Sequence, residues 1–126
     1  MNKNLEVCKP LVVTPSEYDQ YPVCEDYVAI LQLAQRCANR EIPYVLKRCW
    51  DGWIVILEKD GARIADAIEH NGSYGHEGNL LETMDFPEDN NDVTGWLTVD
   101  EVWERITRLY RPRLDCVSTT MIIPAE

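Results

Sequence analysis

Residues 44–58 read YVLKRCWDGWIVILE, and this stretch decides the fold class. Two runs rich in β-branched and aromatic residues, 44–50 and 53–58, are separated by Asp51 and Gly52. An Asp-Gly pair favours the two-residue type I′ turn of a β-hairpin. We therefore predict an antiparallel hairpin whose turn is flanked by Trp50 and Trp53. Both indoles should share one sheet face, and we take Trp53 as a candidate contact residue.

The pattern continues on the C-terminal side of the hairpin. A turn at residues 59–62 leads into a third strand, 63–70, which is broken by Asn71-Gly72-Ser73. The next segment, 73–84, begins glycine-rich and ends in helix formers, which predicts a loop running into a short helix. The residues expected on the buried side of that helix are Leu80, Leu81 and Met84.

Helices are predicted on both sides of these strands. Apolar residues recur at three- and four-residue spacing between Cys24 and Arg40, and Pro43 prevents the helix from continuing. After an acidic loop at 87–91, Thr98 and Glu101 fit a capping box. An apolar stripe then runs to Pro112, and its members are Val99, Val102, Trp103, Ile106, Leu109 and Tyr110.

This order predicts an α+β fold of the type αβββαα, a three-stranded antiparallel meander with its helices on one face. With 126 residues the chain has the length of a single domain. We divide it into an extended arm (1–23), a core (24–112) and an extended tail (113–126). Residues 9–13 of the arm and 114–123 of the tail are expected to add edge strands.

Composition indicates a cytoplasmic protein. No apolar run approaches the roughly 20 residues that cross a bilayer, and the first residues do not resemble a signal peptide. The five cysteines are scattered and form no Cys-x-x-Cys pair, so we expect reduced thiols. We expect no bound metal and no cofactor.

Charge is the most informative property of the chain, because the formal net charge is −10 and no lysine or arginine lies between Arg63 and Arg105. A nucleic-acid-binding protein needs the opposite balance, since phosphate neutralisation supplies most of its affinity. The acidic stretch is instead a candidate surface for a protein partner. Its predicted contact residues are Glu82, Asp85, Glu88, Asp89 and Asp92.

Side chains suited to metal binding or proton transfer gather in one place. His70 and His76 lie near Asp66, Glu69 and Glu77, although no His-Glu-x-x-His spacing is present. A small metal-dependent hydrolase using His70, His76 and Glu77 is therefore one alternative. The glycine-rich loop 72–78 has two interpretations of its own. One is a phosphate site built from backbone N–H groups at the start of the predicted short helix. The one that we favour is a structural turn in which Tyr74 and His76 hold residues 72–78 against the core.

Several motifs resemble those of small uncharacterised proteins encoded by phages and prophages of Gram-positive bacteria. They are Asp51-Gly52-Trp53, Ile68-Glu69-His70, SYGHEGNLLETM at 73–84 and GWLTVDE at 95–101. The resemblance implies a phage or prophage origin and no particular activity. The predicted element order is also similar to that of some anti-CRISPR proteins, which block a nuclease by imitating the charge of nucleic acid.

From these observations we expect a non-catalytic binding protein that inhibits a host nucleic-acid-handling or defence protein by charge mimicry. A nuclease is one such target. A second hypothesis is an anti-defence protein that binds a nucleotide or another small molecule through Tyr74 and His76. In that case Arg105 or Arg108 would come from the partner subunit of a homodimer. The hydrolase is the third hypothesis.

Overall fold

The computed structural model describes the backbone of residues 8–122 and the side chains of residues 8–111. Two helices and six strands form one sheet and one hydrophobic core. Short 3₁₀ turns lie at His76–Gly78 and Pro87–Asp89. The main elements, in chain order, are β1 (Val13–Thr14), α1 (Ala29–Asn39), β2 (Tyr44–Cys49), β3 (Gly52–Lys59), β4 (Ala62–Glu69), β5 (Leu81–Met84), β6 (Val93–Leu97) and α2 (Val99–Ile122).

The strands lie in the sheet in their sequence order, β1 to β6. All neighbours are antiparallel except β1, which runs parallel to β2. Helix α1 packs on β2, β3 and β4 and also contacts α2, which packs on β5. The core between them includes Ile30, Leu33, Leu46, Val55, Leu57, Leu81, Phe86, Val102 and Ile106.

The predicted hairpin is confirmed, but its turn lies one residue earlier than expected. Cys49 pairs with Gly52, so the two loop residues are Trp50 and Asp51. Gly52 pairs with Cys49 and is the first residue of β3, and a Cβ there would lie 1.9 Å from the carbonyl oxygen of Glu69. The glycine is therefore required by the close approach of β4. The predicted type I′ turn is wrong, because that turn needs a positive φ at both loop residues, and of the two only Trp50 has one, at 53°.

The predicted αβββαα architecture is wrong below the level of α+β, because the sheet has six strands and the short helix at 73–84 does not form. Residues 81–84 instead form strand β5, which pairs with β4; Glu82 of β5 lies opposite Ile68 of β4. Leu81 is buried as predicted, whereas Met84 is 41% exposed. The free edge of β4 offers a row of backbone hydrogen-bonding groups, and pairing with it outweighs the local helix propensity of this segment.

Helix α1 begins at Ala29, not near Cys24, and its cap comes from distant parts of the chain. Val28 occupies the N-cap position and provides no side-chain hydrogen bond. Instead Asn79 Oδ1 accepts hydrogen bonds from the backbone N–H groups of Val28 and Ala29, at 3.1 and 3.0 Å. Glu69 Oε1 accepts one from the N–H of Ile30 at 3.1 Å. Tertiary contacts thus satisfy the donors that a local capping residue would usually satisfy.

The second long helix is confirmed at its start, where the Thr98 hydroxyl and the Glu101 carboxylate accept each other's backbone N–H. Its predicted end at Pro112 is wrong, since α2 continues to Ile122. Proline removes one helical hydrogen bond, but its φ is compatible with a helix. The edge strand predicted at 114–123 is also wrong, because residues 114–122 belong to α2; residue 123 lies outside the described range.

The N-terminal arm contributes one short edge strand, which lies at Val13–Thr14 and not at 9–13. It pairs with Leu46 and Lys47 of β2. The part of the predicted arm that precedes residue 8 lies outside the described residues. Within them, no helix is long and apolar enough to cross a membrane.

Candidate functional site

The topology brings four segments that are distant in sequence to one end of the sheet. The β2–β3 turn, the end of β4 and the end of β6 all lie there, because neighbouring strands alternate in direction. We call this surface the hairpin end and define it by residues 16–28, 50–52, 70–80 and 95–98. Two backbone hydrogen bonds join its parts: Cys24 N–H to the Asp51 carbonyl, 2.9 Å, and Trp96 N–H to the Tyr74 carbonyl, 3.1 Å.

Arg48 anchors the N-terminal arm to the hairpin. Its side chain is buried on β2, and the residue is only 8% exposed. The guanidinium donates to the backbone carbonyls of Tyr21, Trp50 and Gly52, each at 3.0 Å. It also lies 5.4 Å from the ring centroid of Trp53. Trp53, a predicted contact residue, is therefore half-buried under this arginine, and Trp50 is the exposed member of the pair.

Three aromatic rings form a cluster on the hairpin turn. The Trp50 centroid lies 4.8 Å from that of Tyr18 and 5.8 Å from that of Tyr21. The two tyrosine rings are 5.3 Å apart in an edge-to-face arrangement. Trp50 and Tyr21 each remain 45% exposed. The cluster thus presents a preformed aromatic surface to the surroundings, because the rings are held by one another and by Arg48.

A second pair of exposed aromatic residues, Tyr74 and Trp96, lies on the other side of the hairpin end. They are 59% and 58% exposed. Their backbones are joined by the hydrogen bond from the Trp96 N–H to the Tyr74 carbonyl, and the neighbouring Gly95 packs so closely that a Cβ there would lie 2.2 Å from the Cβ of Tyr74. Trp96 has a φ of 61°, a left-handed conformation that is rare for a bulky residue. The fold therefore holds this indole outward at a cost in backbone energy.

The segments of the hairpin end carry acidic side chains but no lysine or arginine. None of the residues 16–28, 50–52, 70–80 and 95–98 is lysine or arginine. The sequence analysis identified the segment without lysine or arginine between Arg63 and Arg105. It missed a second such segment between Lys9 and Arg36, which supplies four of the six acidic residues of the hairpin end. The acidic residues of the hairpin end are Glu17, Asp19, Glu25, Asp26, Asp51 and Glu77.

The two histidines of the predicted site lie at the hairpin end, where both have structural contacts. His70 Nδ1 accepts a hydrogen bond from the Gly72 N–H at 3.0 Å, and burial lowers the pKa of its imidazole. His76 Nδ1 lies 3.1 Å from the Tyr27 hydroxyl, and burial raises the pKa of that hydroxyl to about 12. His76 Nε2 is 3.7 Å from the Glu77 carboxylate. Among the described residues no group of three or more His, Cys, Asp or Glu side chains could hold a metal ion.

The predicted acidic contact residues lie outside the segments that define the hairpin end, and the carboxylates of four of the five make contacts with residues that are not their sequence neighbours. Glu82 is 8% exposed and accepts the Tyr74 N–H at 2.8 Å. The other four lie at the opposite end of the sheet, which we call the arginine end and define by residues 59–63, 85–92 and 104–108. There Asp85 pairs with Arg63 at 2.8 Å, and Glu88 with Arg108 at 2.8 Å. Asp92 is exposed and accepts only its neighbour's N–H, that of Val93.

Asp89 is the centre of a buried network at the arginine end. Its side chain is fully buried and lies 3.0 Å from Arg105 Nη1. The hydroxyls of Thr83 and Thr94 donate to the same carboxylate at 2.8 and 2.6 Å. The N–H of Phe86 donates to its other oxygen at 3.1 Å. A carboxylate with these partners stabilises the β5–β6 loop and is not available to a partner protein.

No protein family, curated protein or solved structure matches this chain. The resemblance to phage and prophage proteins therefore stays a prediction. The hairpin end is exposed, aromatic and acidic, whereas the acids of the arginine end are largely paired with arginines.

Proposed function

We propose that this chain is a non-catalytic binding protein whose hairpin end covers a basic surface on a protein partner. One observation carries the proposal. All four exposed aromatic side chains among residues 8–111 lie at the hairpin end, together with six acidic residues and no lysine or arginine in its segments. The four aromatic residues are Tyr21, Trp50, Tyr74 and Trp96.

The chemistry of this surface favours a basic partner. Tryptophan and tyrosine are enriched at the centres of protein interfaces because they bury a large area with few rotatable bonds. Their ring faces also attract arginine and lysine side chains. Surrounding carboxylates add a negative potential that speeds the encounter with a positive surface and opposes acidic partners.

The dimensions of the surface suit such an interface. The distance from β2 to β6 is four inter-strand spacings, about 19 Å at about 4.8 Å each. A typical interface buries about 800 Å² on each partner, which is a patch roughly 28 Å across. The aromatic cluster at the turn and the Tyr74–Trp96 pair would then contact the partner at two separate points.

A basic groove that holds nucleic acid is one surface with the required charge, because it must neutralise phosphates. Charge mimicry of a nucleic acid, with inhibition of a host nucleic-acid-handling or defence protein as its result, follows as the finer proposal. Four of the five acids at 82–92 are already engaged, so the hairpin end is the better surface for this role. A phage or prophage origin is consistent with such an inhibitor.

The test compares two charge-neutralised variants that differ only in location. Glu25→Gln with Asp26→Asn removes two charges from the hairpin end, and Asp60→Asn with Asp92→Asn removes two from the arginine end. Binding to an arginine-rich peptide is measured by calorimetry at about 50 mM and about 500 mM salt. We expect the first variant to lose about tenfold in affinity, roughly 1.4 kcal/mol, and the second to bind like the parent chain.

The finer proposal is tested on proteins captured from a bacterial lysate. A partner whose nucleic-acid groove is covered should be released by salt and by excess double-stranded DNA, and it should not bind a Trp50→Ala, Trp96→Ala variant. Equal affinity of both charge variants for the basic peptide would contradict the hairpin end as the binding surface. Capture that DNA cannot compete with would contradict charge mimicry alone.

A further inference from the structure

A pocket of about 240 Å³ lies between the C-terminal half of α1 and the first turns of α2, away from the hairpin end. Its lining residues are Arg36, Asn39, Arg40 and Trp103. All four side chains carry N–H donors, and Trp103 also offers the face of its indole ring. In a chain with a net charge of −10, this is an unusual local concentration of positive charge.

The side-chain amide of Asn39 is oriented so that its NH₂ group is the part left free to bind a ligand. Asn39 Oδ1 accepts hydrogen bonds from the Lys9 N–H at 2.9 Å and from Gln35 Nε2 at 3.0 Å. These two donors fix the orientation of the amide, whose NH₂ group keeps no partner among residues 8–111. The amide therefore offers the pocket a donor and no acceptor.

The two arginines of the pocket are in different states. Arg36 is held by an ion pair, with 2.6 Å between its Nη2 and the Oδ1 of Asp100. Arg40 lies one helical turn further on and is exposed. Its backbone N–H donates to the Arg36 carbonyl at 3.1 Å, but its guanidinium has no hydrogen-bond or ion-pair partner within the part of the chain whose side chains are described. The nearby Lys9 and Glu41 side chains neutralise each other. Arg40 thus carries an uncompensated charge at the pocket.

We propose that this pocket binds a small planar aromatic molecule that carries a phosphate group. The ring would stack on the indole of Trp103, and Arg40 and Asn39 would donate to the phosphate oxygens. The volume suits a ligand of this size, because a cavity of roughly 150 Å³ accepts benzene, whereas drug-sized ligands occupy pockets of roughly 300 Å³ or more. A mononucleotide and an aryl phosphate metabolite share this chemistry.

Arg40 also has a structural role, which the experiment must distinguish from ligand binding. It is the C-cap residue of α1, where a cation stabilises the partial negative charge of the helix end. A purely local role predicts that Arg40 affects stability and has no effect on ligand binding. The binding site predicts both effects.

The experiment is a two-dimensional NMR titration of the full chain with phenyl phosphate, inorganic phosphate, phenol and adenosine monophosphate. We expect phenyl phosphate to shift the Asn39 and Arg40 amide signals and the Trp103 indole signal. It should bind at least about tenfold more tightly than inorganic phosphate or phenol, because both of its parts contact the pocket. Similar binding of the monophosphate would identify a nucleotide as the source, and weaker binding would identify a single-ring phosphate.

Arg40→Gln should reduce the affinity for phenyl phosphate about tenfold or more. Arg111→Gln, which removes an exposed arginine outside the pocket lining, is the matched control and should bind normally. Trp103→Phe should retain the phosphate contacts and weaken ring binding only. Absence of shifts at Arg40 and Trp103, or equal binding by the Arg40 and Arg111 variants, would overturn the proposal.

Discussion

Two buried carboxylates, one towards each end of the sheet, show how differently the two ends are built. Asp89 at the arginine end lies against Arg105 and accepts from two threonine hydroxyls and a backbone N–H. Glu69, the last residue of β4, is 0% exposed beneath the hairpin end. Its Oε1 accepts the Ile30 N–H, and its Oε2 has no hydrogen-bond partner among the described residues.

The arginine end is stabilised by paired charges, whereas the hairpin end contains a buried carboxylate without a charged partner and backbone conformations that cost energy. At the arginine end, acids are neutralised by Arg63, Arg105 and Arg108. At the hairpin end, burial raises the pKa of Glu69 to about 7, and two exposed tryptophans adopt left-handed backbone conformations. Unpaired charge, exposed aromatic surface and backbone strain together are typical of functional surfaces.

The largest expected effect is at the arginine end. Asp89→Ala leaves the Arg105 guanidinium and the Thr83 and Thr94 hydroxyls without their shared acceptor. Removal of one partner from a buried ion pair costs about 3–5 kcal/mol. Urea denaturation measures the loss. Glu88→Ala, which breaks the neighbouring partly exposed pair with Arg108, is the control and should cost less than about 1 kcal/mol. Equal losses would show that burial of Asp89 adds nothing.

The second effect is a pH dependence that arises beneath the hairpin end. The pKa of Glu69 rises from its ordinary value of 4.5 to about 7 on folding, mainly because of burial. Its contribution to stability is therefore fully present below about pH 4.5 and is lost as the pH rises through about 7. We expect Glu69→Gln to gain stability relative to the parent chain between about pH 5 and about pH 8, by up to about 3 kcal/mol.

Denaturation of both proteins at each pH provides the measurement. Burial also lowers the pKa of His70, which both proteins contain, so the two proteins are compared at the same pH. Glu58→Gln is the matched control and should follow the parent chain. If the free energies of unfolding of the Glu69 variant and the parent chain differed by the same amount at about pH 5 and about pH 8, Glu69 would not titrate in this window.

The smallest effect concerns the backbone of Trp96. Trp96→Gly should be more stable than Trp96→Ala by about 1 kcal/mol, because only glycine adopts a φ near 61° without strain. Both variants remove the same exposed indole and should bind the basic peptide equally weakly. Thermal unfolding distinguishes them. If alanine were as stable as glycine here, the left-handed conformation would carry no cost.

The hairpin, the third strand and the start of α2 were predicted correctly because each depends on neighbours in sequence. The turn at Trp50-Asp51 is a near miss: an Asp-Gly pair indicates a turn, but the approach of Glu69 determines which residue must be the glycine. Strand β5 could not be predicted, because its conformation depends on the free edge of β4. The acids at 82–92 were visible as a cluster, but their arginine partners lie about 20 residues away along the chain.

The amino-acid sequence by itself determined the α+β class, the antiparallel hairpin, the capping box of α2 and the excess of acidic over basic residues. These properties depend on composition and on contacts within a few residues. Only the tertiary structure decided which carboxylates are paired, which tryptophans are exposed and how α1 is capped by Asn79 and Glu69. The reason is physical: burial, ion pairing and strand pairing depend on distances between residues that are far apart in the chain.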